Sequence, residues 1–175
     1  MLTRFSITAV LFYSLLMSGC ASNPSAGAAE SIKQAANSVL TNGRSVSKII
    51  VSLDNDLASD RKEAADQYSL ADRIKTDVQA VLEEKGVMSS SENGVVLNIN
   101  VSSFRLRSGA SAFWAGAMAG ADNIFVTVDA ESNGAKLKTF KTDISTALGG
   151  LIAPSPSQRI NRMSKALAKR IVSKL

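Results

Sequence analysis

The sequence predicts an α+β domain: a small two-layer α/β sandwich, with a mostly antiparallel sheet of about four strands and two or three helices packed on one face. Three observations carry that prediction. Residues 95–101 and 124–130 alternate apolar and polar residues, the period of a half-buried strand. Asn133-Gly134 follows the second of these, and that dipeptide favours a tight hairpin because both positions accept a positive φ. Residues 68–85 and 157–175 instead carry apolar residues every three or four positions, the period of an amphipathic helix.

Taken in order, Ile32, Ala35, Ala36, Val39 and Leu40 predict a short helix over 30–40, ended at Thr41-Asn42-Gly43. Val46 to Leu53 is β-branched and predicts a strand. Asp54 to Gln67 is polar and reads as a loop that turns helical late. From Tyr68 to Lys85, Leu70, Ile74, Val78 and Val81 form a stripe with Ala71 and Leu82 beside it, and Gly86 is a natural stop. Val95, Leu97, Ile99 and Val101 share one strand face. The phase slips at Ser102-Ser103, which predicts a bulge or the strand's end.

Ile124, Val126, Val128 and Ala130 point inward on the next strand. A two-residue turn at Asn133-Gly134 places Ser132 opposite Ala135, Glu131 opposite Lys136, Ala130 opposite Leu137 and Asp129 opposite Lys138. Ser157 is expected to cap a last helix, with Ile160, Met163, Leu167 and Ile171 as its stripe and Ala166, Val172 and Leu175 widening it. Its polar face would hold Arg159, Arg162, Lys165, Lys169, Arg170 and Lys174. The plainer reading is a solvated face whose cations suit the helix dipole. The other is a surface for anionic headgroups or an acidic partner.

The chain has 175 residues, a net charge of +5, no histidine and one cysteine, Cys20. Without histidine, Ser/His/Asp and Cys/His catalysis are excluded, and one cysteine excludes an internal disulfide framework. Asp54, Asp56 and Asp60 lack the spacing of a calcium hand, so no metal or other cofactor is expected. A nucleic-acid partner is not expected either, because surface aromatics do not interleave with the basic residues.

Residues 1–19 read as an export signal: Arg4, then a largely apolar run of thirteen residues from Phe5 to Met17, then Ser18-Gly19. That run is too short to span a bilayer, which takes about 20 apolar residues. Leu16-Met17-Ser18-Gly19-Cys20 resembles the bacterial lipobox, with Met17 where leucine is usual. The resemblance implies that Cys20 is lipidated with a thioether-linked diacylglycerol and an N-acyl chain such as palmitate. Ala21 in place of an aspartate, by likeness to enteric lipoproteins, implies the periplasmic face of the outer membrane. Residues 20–29, rich in Ser, Gly, Ala and Pro, read as a flexible tether, and 30–175 as a single α+β domain.

Residues 109–122, GASAFWAGAMAGAD, stand apart, with small residues at Ala112, Gly116 and Gly120 around Phe113 and Trp114. The plainest reading is a glycine-rich crossover. The functional one is a contact surface, made by Phe113, Trp114, Gly116 and Gly120, for a partner, a second copy or a membrane.

From Val95 onward the pattern resembles the domain-of-unknown-function 4410 family of bacterial lipoprotein domains. Phe104-Arg105-Leu106-Arg107 ends a strand, and Phe113-Trp114-Ala115-Gly116 follows. Asn133-Gly134, Gly149-Gly150 and a closing helix come after. The resemblance spans about residues 95–175 and brings no activity with it. The function expected is that of a lipid-anchored, non-catalytic envelope protein that binds an envelope partner. The alternatives are a self-assembling structural lipoprotein and a carboxylate-dependent hydrolase.

Overall fold

The computed structural model describes residues 39–40, 44–91, 93–108, 120–147 and 154–175. The chain divides into Met1–Ala35 and Ala36–Leu175, and only the second unit holds described residues. The expected export signal and tether, and residues 30–38 of the expected 30–40 helix, therefore lie outside them. Val39 and Leu40 form a turn.

The elements are β1 (Val46–Leu53), α1 (Ser59–Gln67), α2 (Leu70–Glu84), β2 (Val95–Arg105), β3 (Asp122–Ser132), β4 (Ala135–Thr146) and α3 (Pro156–Ser173). The four strands lie side by side in chain order. β1 pairs parallel with β2, while β2–β3 and β3–β4 are antiparallel. A parallel pair needs a long crossover, and α1 and α2 supply it. The result is the expected α+β fold.

One face of the sheet carries the core. Leu97, Ile99 and Val101 of β2 and Ile124, Val126 and Val128 of β3 are buried against Ile74, Val78 and Leu82 of α2 and Ile160, Leu167 and Ile171 of α3. Burying each such side chain contributes about 1.5–3 kcal/mol. No described helix packs on the opposite face: Ile50 of β1 and Phe125 of β3 point from it and are 41% and 42% exposed.

α2 follows its stripe, with Leu70, Ile74, Val78 and Leu82 buried and Val81 half-buried. Gly86, at φ +67°, ends it as expected. The polar stretch before it is more regular than its sequence implies. α1 buries only Ala65, so it has no apolar stripe to betray it, and Asp60 in its first turn suits the positive end of the helix dipole. Ser69, at φ 49°, breaks α1 from α2.

α3 is capped by Ser155, not Ser157. The Ser155 hydroxyl accepts from the Gln158 amide at 3.3 Å, and the Gln158 side chain accepts from the Ser155 amide at 3.1 Å. Pro156 fits the first helical position because its missing N–H has no partner to lose there. Ala168 is buried in the stripe, and Ala166 is exposed.

The strand irregularities correct the expected register in one place. β2 has its bulge where the phase slip lies: Val101 opposes Val126 and Ser103 opposes Phe125. In the β3–β4 hairpin, Ser132 opposes Ala135 and Glu131 opposes Lys136, as the turn requires. The register then shifts, so that Ala130 opposes Lys138 and Asp129 opposes Thr139. The expected Ala130–Leu137 and Asp129–Lys138 pairs do not form. Without the shift, Thr139, Lys141 and Asp143 would oppose Val128, Val126 and Ile124 on the core side. With it, Phe140, Thr142 and Ile144 take those places. Sparing a lysine and an aspartate from burial decides the register.

Candidate functional site

Residues 109–119 connect β2 to β3 in the chain, and the described residues that flank them are joined inside the protein. Asp122, the first residue of β3, is fully buried. Its Oδ1 accepts from the Arg107 backbone N–H at 2.8 Å and from Arg107 Nε at 3.3 Å. Its Oδ2 accepts from Arg159 Nη1 at 2.7 Å. Arg159 Nη2 donates in turn to the Arg107 carbonyl at 2.8 Å. One carboxylate and two guanidiniums therefore hold both backbone groups of Arg107, the start of β3 and the first turns of α3 together.

Stripping water from these charges costs several kcal/mol per ion, and the dense hydrogen bonding offsets it. The grouping carries one more positive than negative charge. Arg159 Nε is buried and has no hydrogen-bond partner.

Gly120 adds a close approach just before Asp122. Its φ is +82°, and a Cβ there would lie 2.8 Å from Arg105 Nη1. Gly120 is the one expected contact residue among the described ones, and it packs against Arg105. Phe113, Trp114 and Gly116 lie outside the described residues, as does Cys20.

Two of the three residues that fix this base are not singled out by sequence reasoning. Asp122 stands out there only as the first charge after the glycine stretch. Arg159 is expected on the solvated face of the last helix, but it is 1% exposed. A signal is present: Arg159 precedes Met163 by four residues, which places it on the apolar stripe itself.

Asp54 Oδ1 accepts from the Asp56 amide at 3.0 Å, and Oδ2 from Asn100 Nδ2 at 2.8 Å. These bonds, the amide's first, hold the Asp54 carboxyl below its usual 3.8. Among the described residues no group of three or more Asp, Glu, His or Cys side chains is placed to hold a metal ion. A shallow cavity of about 260 Å³ lies between β4 and α3, lined by Ile144, Ser145, Thr146, Arg159, Arg162, Met163 and Ala166. No described helix is long and apolar enough to cross a membrane.

These features define a class: a small α+β domain whose described helices cover one sheet face, with a glycine-rich connection between β2 and β3 whose described ends are joined by a buried Arg–Asp–Arg grouping. Residues 28–150 match the domain of unknown function DUF4410, and the chain belongs to that family. The matched span takes in β1, α1 and α2 as well as the three later strands. No curated protein matches the chain.

The chain is similar to several solved structures. The PelC dodecamer from Paraburkholderia phytofirmans superposes with a TM-score of 0.51 at 14% identity, covering 79% of this chain and 93% of that one. A DUF330 protein from Xanthomonas campestris gives 0.49 at 10% identity, covering 74% and 82%. A minor lipoprotein from Acinetobacter baumannii gives 0.40 at 16% identity, covering 72% and 89%.

Proposed function

We propose that this protein is a non-catalytic, lipid-anchored component of the bacterial envelope that acts by binding other envelope components. The lipobox-like sequence ending at Cys20 supports the anchor, and Ala21 after it supports the periplasmic face of the outer membrane. The contact surface is the stretch that contains Phe113, Trp114, Gly116 and Gly120.

The observation that carries this reading is the buried Asp122 with its two arginines. It commits charged groups to fastening both ends of a stretch that has no charge of its own between Arg107 and Asp122. A connection needed only to join two strands could be a short hairpin. An apolar segment bearing Phe113 and Trp114 suits recognition, since aromatic side chains supply large contact area.

A second copy of the chain is the alternative partner. The similarity in fold to the Paraburkholderia phytofirmans PelC dodecamer favours considering it. In-cell photo-crosslinking tests both. Replacing Phe113 and Trp114 with serine should abolish the neighbour captured by the native chain while leaving its melting temperature unchanged. Capture of the same neighbour by the folded variant places the surface elsewhere. Capture of another copy of the chain selects self-association.

A further inference from the structure

The two edges of the sheet are finished differently. At β4, the Lys141 carbonyl accepts from Lys174 Nζ at 3.1 Å and the Asp143 carbonyl from Arg170 Nη1 at 2.7 Å. Long cationic side chains laid on edge carbonyls hinder the addition of another strand. β1 forms the other edge. Its first residue is closed off: the Val46 amide donates to the Val87 carbonyl at 2.8 Å, and the Val46 carbonyl accepts from the Ser89 amide at 2.9 Å. Beyond that point no described residue pairs with the outer side of β1.

Successive residues of a strand turn their backbone groups to opposite sides. The Asp54 amide donates to the Val101 carbonyl of β2 at 3.0 Å, so Lys48, Ile50 and Ser52 also turn their N–H and C=O groups toward β2. Ile49, Val51 and Leu53 turn theirs outward. The side chains follow the pleat. Ile49 is buried and Val51 and Leu53 are half-buried on the helix side, while Lys48, Ile50 and Ser52 are exposed on the other.

This edge is its own complement. When a second β1 runs antiparallel to the first about a two-fold axis at Val51, Ile49 faces Leu53 and Val51 faces Val51. Each such pair can exchange two N–H···O bonds. An axis at Ile50 instead sets Leu53 against Ser47, where β1 shifts register, and an axis at Ser52 sets Ile49 against Asn55, outside the strand. Only the axis at Val51 matches all the outward groups to one another.

The charges select the same axis, because it sets Lys48 of each copy opposite Asp54 of the other. No described carboxylate pairs with Lys48 within the chain. The Asp54 carboxylate lies beside Asn100, on the face that carries Ser52 and Lys48. Each of its oxygens accepts one hydrogen bond, which leaves room for an ammonium. The two copies of Ile50, 41% exposed in the single chain, become diagonal neighbours on that face.

We propose that β1 is an assembly edge, at which two copies of the chain join into one sheet of eight strands, four from each. The match of hydrogen bonds and charge about Val51 makes the occupant a second copy rather than a foreign strand. The pairing needs neither the anchor at Cys20 nor the contact surface at Phe113 and Trp114.

The test is sedimentation of the full chain in detergent over a range of concentrations, with amide hydrogen exchange read residue by residue. The chain should pass from monomer to dimer as concentration rises. Exchange at Ile49, Val51 and Leu53 should slow several-fold with it, while Ile50 and Ser52, already turned to β2, should not change. Lys48→Asp, at an exposed side chain, should weaken association by about tenfold, since like charges directly opposed are destabilising. Asp54→Lys should do the same. The two variants mixed should associate again, because each contact then joins opposite charges. If Asp54→Lys does not fold, the Lys48→Asp result and the exchange pattern decide. A monomer at every concentration overturns the proposal, and so does a dimer in which the three outward amides exchange as fast as in the monomer. Protection that appears only when other envelope proteins are added assigns the edge to a foreign strand and also overturns it. Replacing Phe113 and Trp114 with serine should leave the association unchanged, so a failure of that contact surface is read separately.

Discussion

Arg159 donates to Asp122 across 2.7 Å, and both side chains are at most 1% exposed. The contact joins the first turns of α3 to the first residue of β3, which are separated by 37 positions in the chain. With Arg107 on the other carboxylate oxygen, it fixes where the 109–119 stretch leaves the sheet and where it returns.

Removing that carboxylate takes away the counter-charge that the two buried guanidiniums share. Asp122→Asn should destabilise the domain by about 3–5 kcal/mol in urea denaturation. Arg159→Met in the Asp122→Asn background should cost less than the two single changes added together, because the second change removes a charge the first left unpaired. Additive effects would show that the groups do not act as a unit.

Gly94 is packed too tightly to carry a side chain. A Cβ there would lie 2.6 Å from Ser47 Cβ and 3.1 Å from the Ser45 carbonyl, where β1 shifts register against β2. Gly94→Ala should cost about 1–3 kcal/mol by overpacking. Ser47→Gly in the same chain should relieve part of it, which thermal melts of the single and double variants can measure.

Asp129 sits on the open sheet face beside the hairpin shift. The Thr139 hydroxyl donates to it and Lys136 lies 3.0 Å away, and these hold its carboxyl below 3.8, the hydroxyl most strongly. A lowered folded value means the pairing stabilises the protein above pH 3.8 and is lost as pH falls through the folded value. Being partly exposed, it contributes less than about 1 kcal/mol. An NMR titration should show Asp129 rising toward 3.8 in Thr139→Val and by less in Lys136→Ala. Lys138→Ala should leave it in place, whereas the unshifted register would make Lys138 the decisive partner.

The two faces of the sheet should respond differently to truncation. Leu97, fully buried on the helix-covered face, should cost about 2–5 kcal/mol as Leu97→Ala. Phe125, 42% exposed on the open face, should stay within about 0.5 kcal/mol of the native stability as Phe125→Ser. A large loss at Phe125 in urea denaturation would mean that face is covered.

The parts legible in the sequence are those where local pattern and tertiary burial agree. Leu70, Ile74, Val78 and Leu82 repeat every four residues and face the core. The slip at Ser102-Ser103 is a bulge, because alternation reports the buried side directly. α1 is not legible as a helix, since Ala65 is its only buried residue. The hairpin register beyond Glu131 depends on a competition that local charge pairing hides. Matching Asp129 to Lys138 would put Lys141 and Asp143 under the helices. Arg159 escapes a reading by charge because charge implies solvent, and here a buried carboxylate outweighs that rule.

The claim that the protein works by contact from a bilayer is tested most directly by the intact mass of the N-terminal peptide from protein recovered from cells. The account predicts that residues 1–19 are gone and that Cys20 is the first residue, carrying a diacylglyceryl thioether and an amide-linked acyl chain. A retained leader, or position 20 as an unmodified thiol, would contradict it.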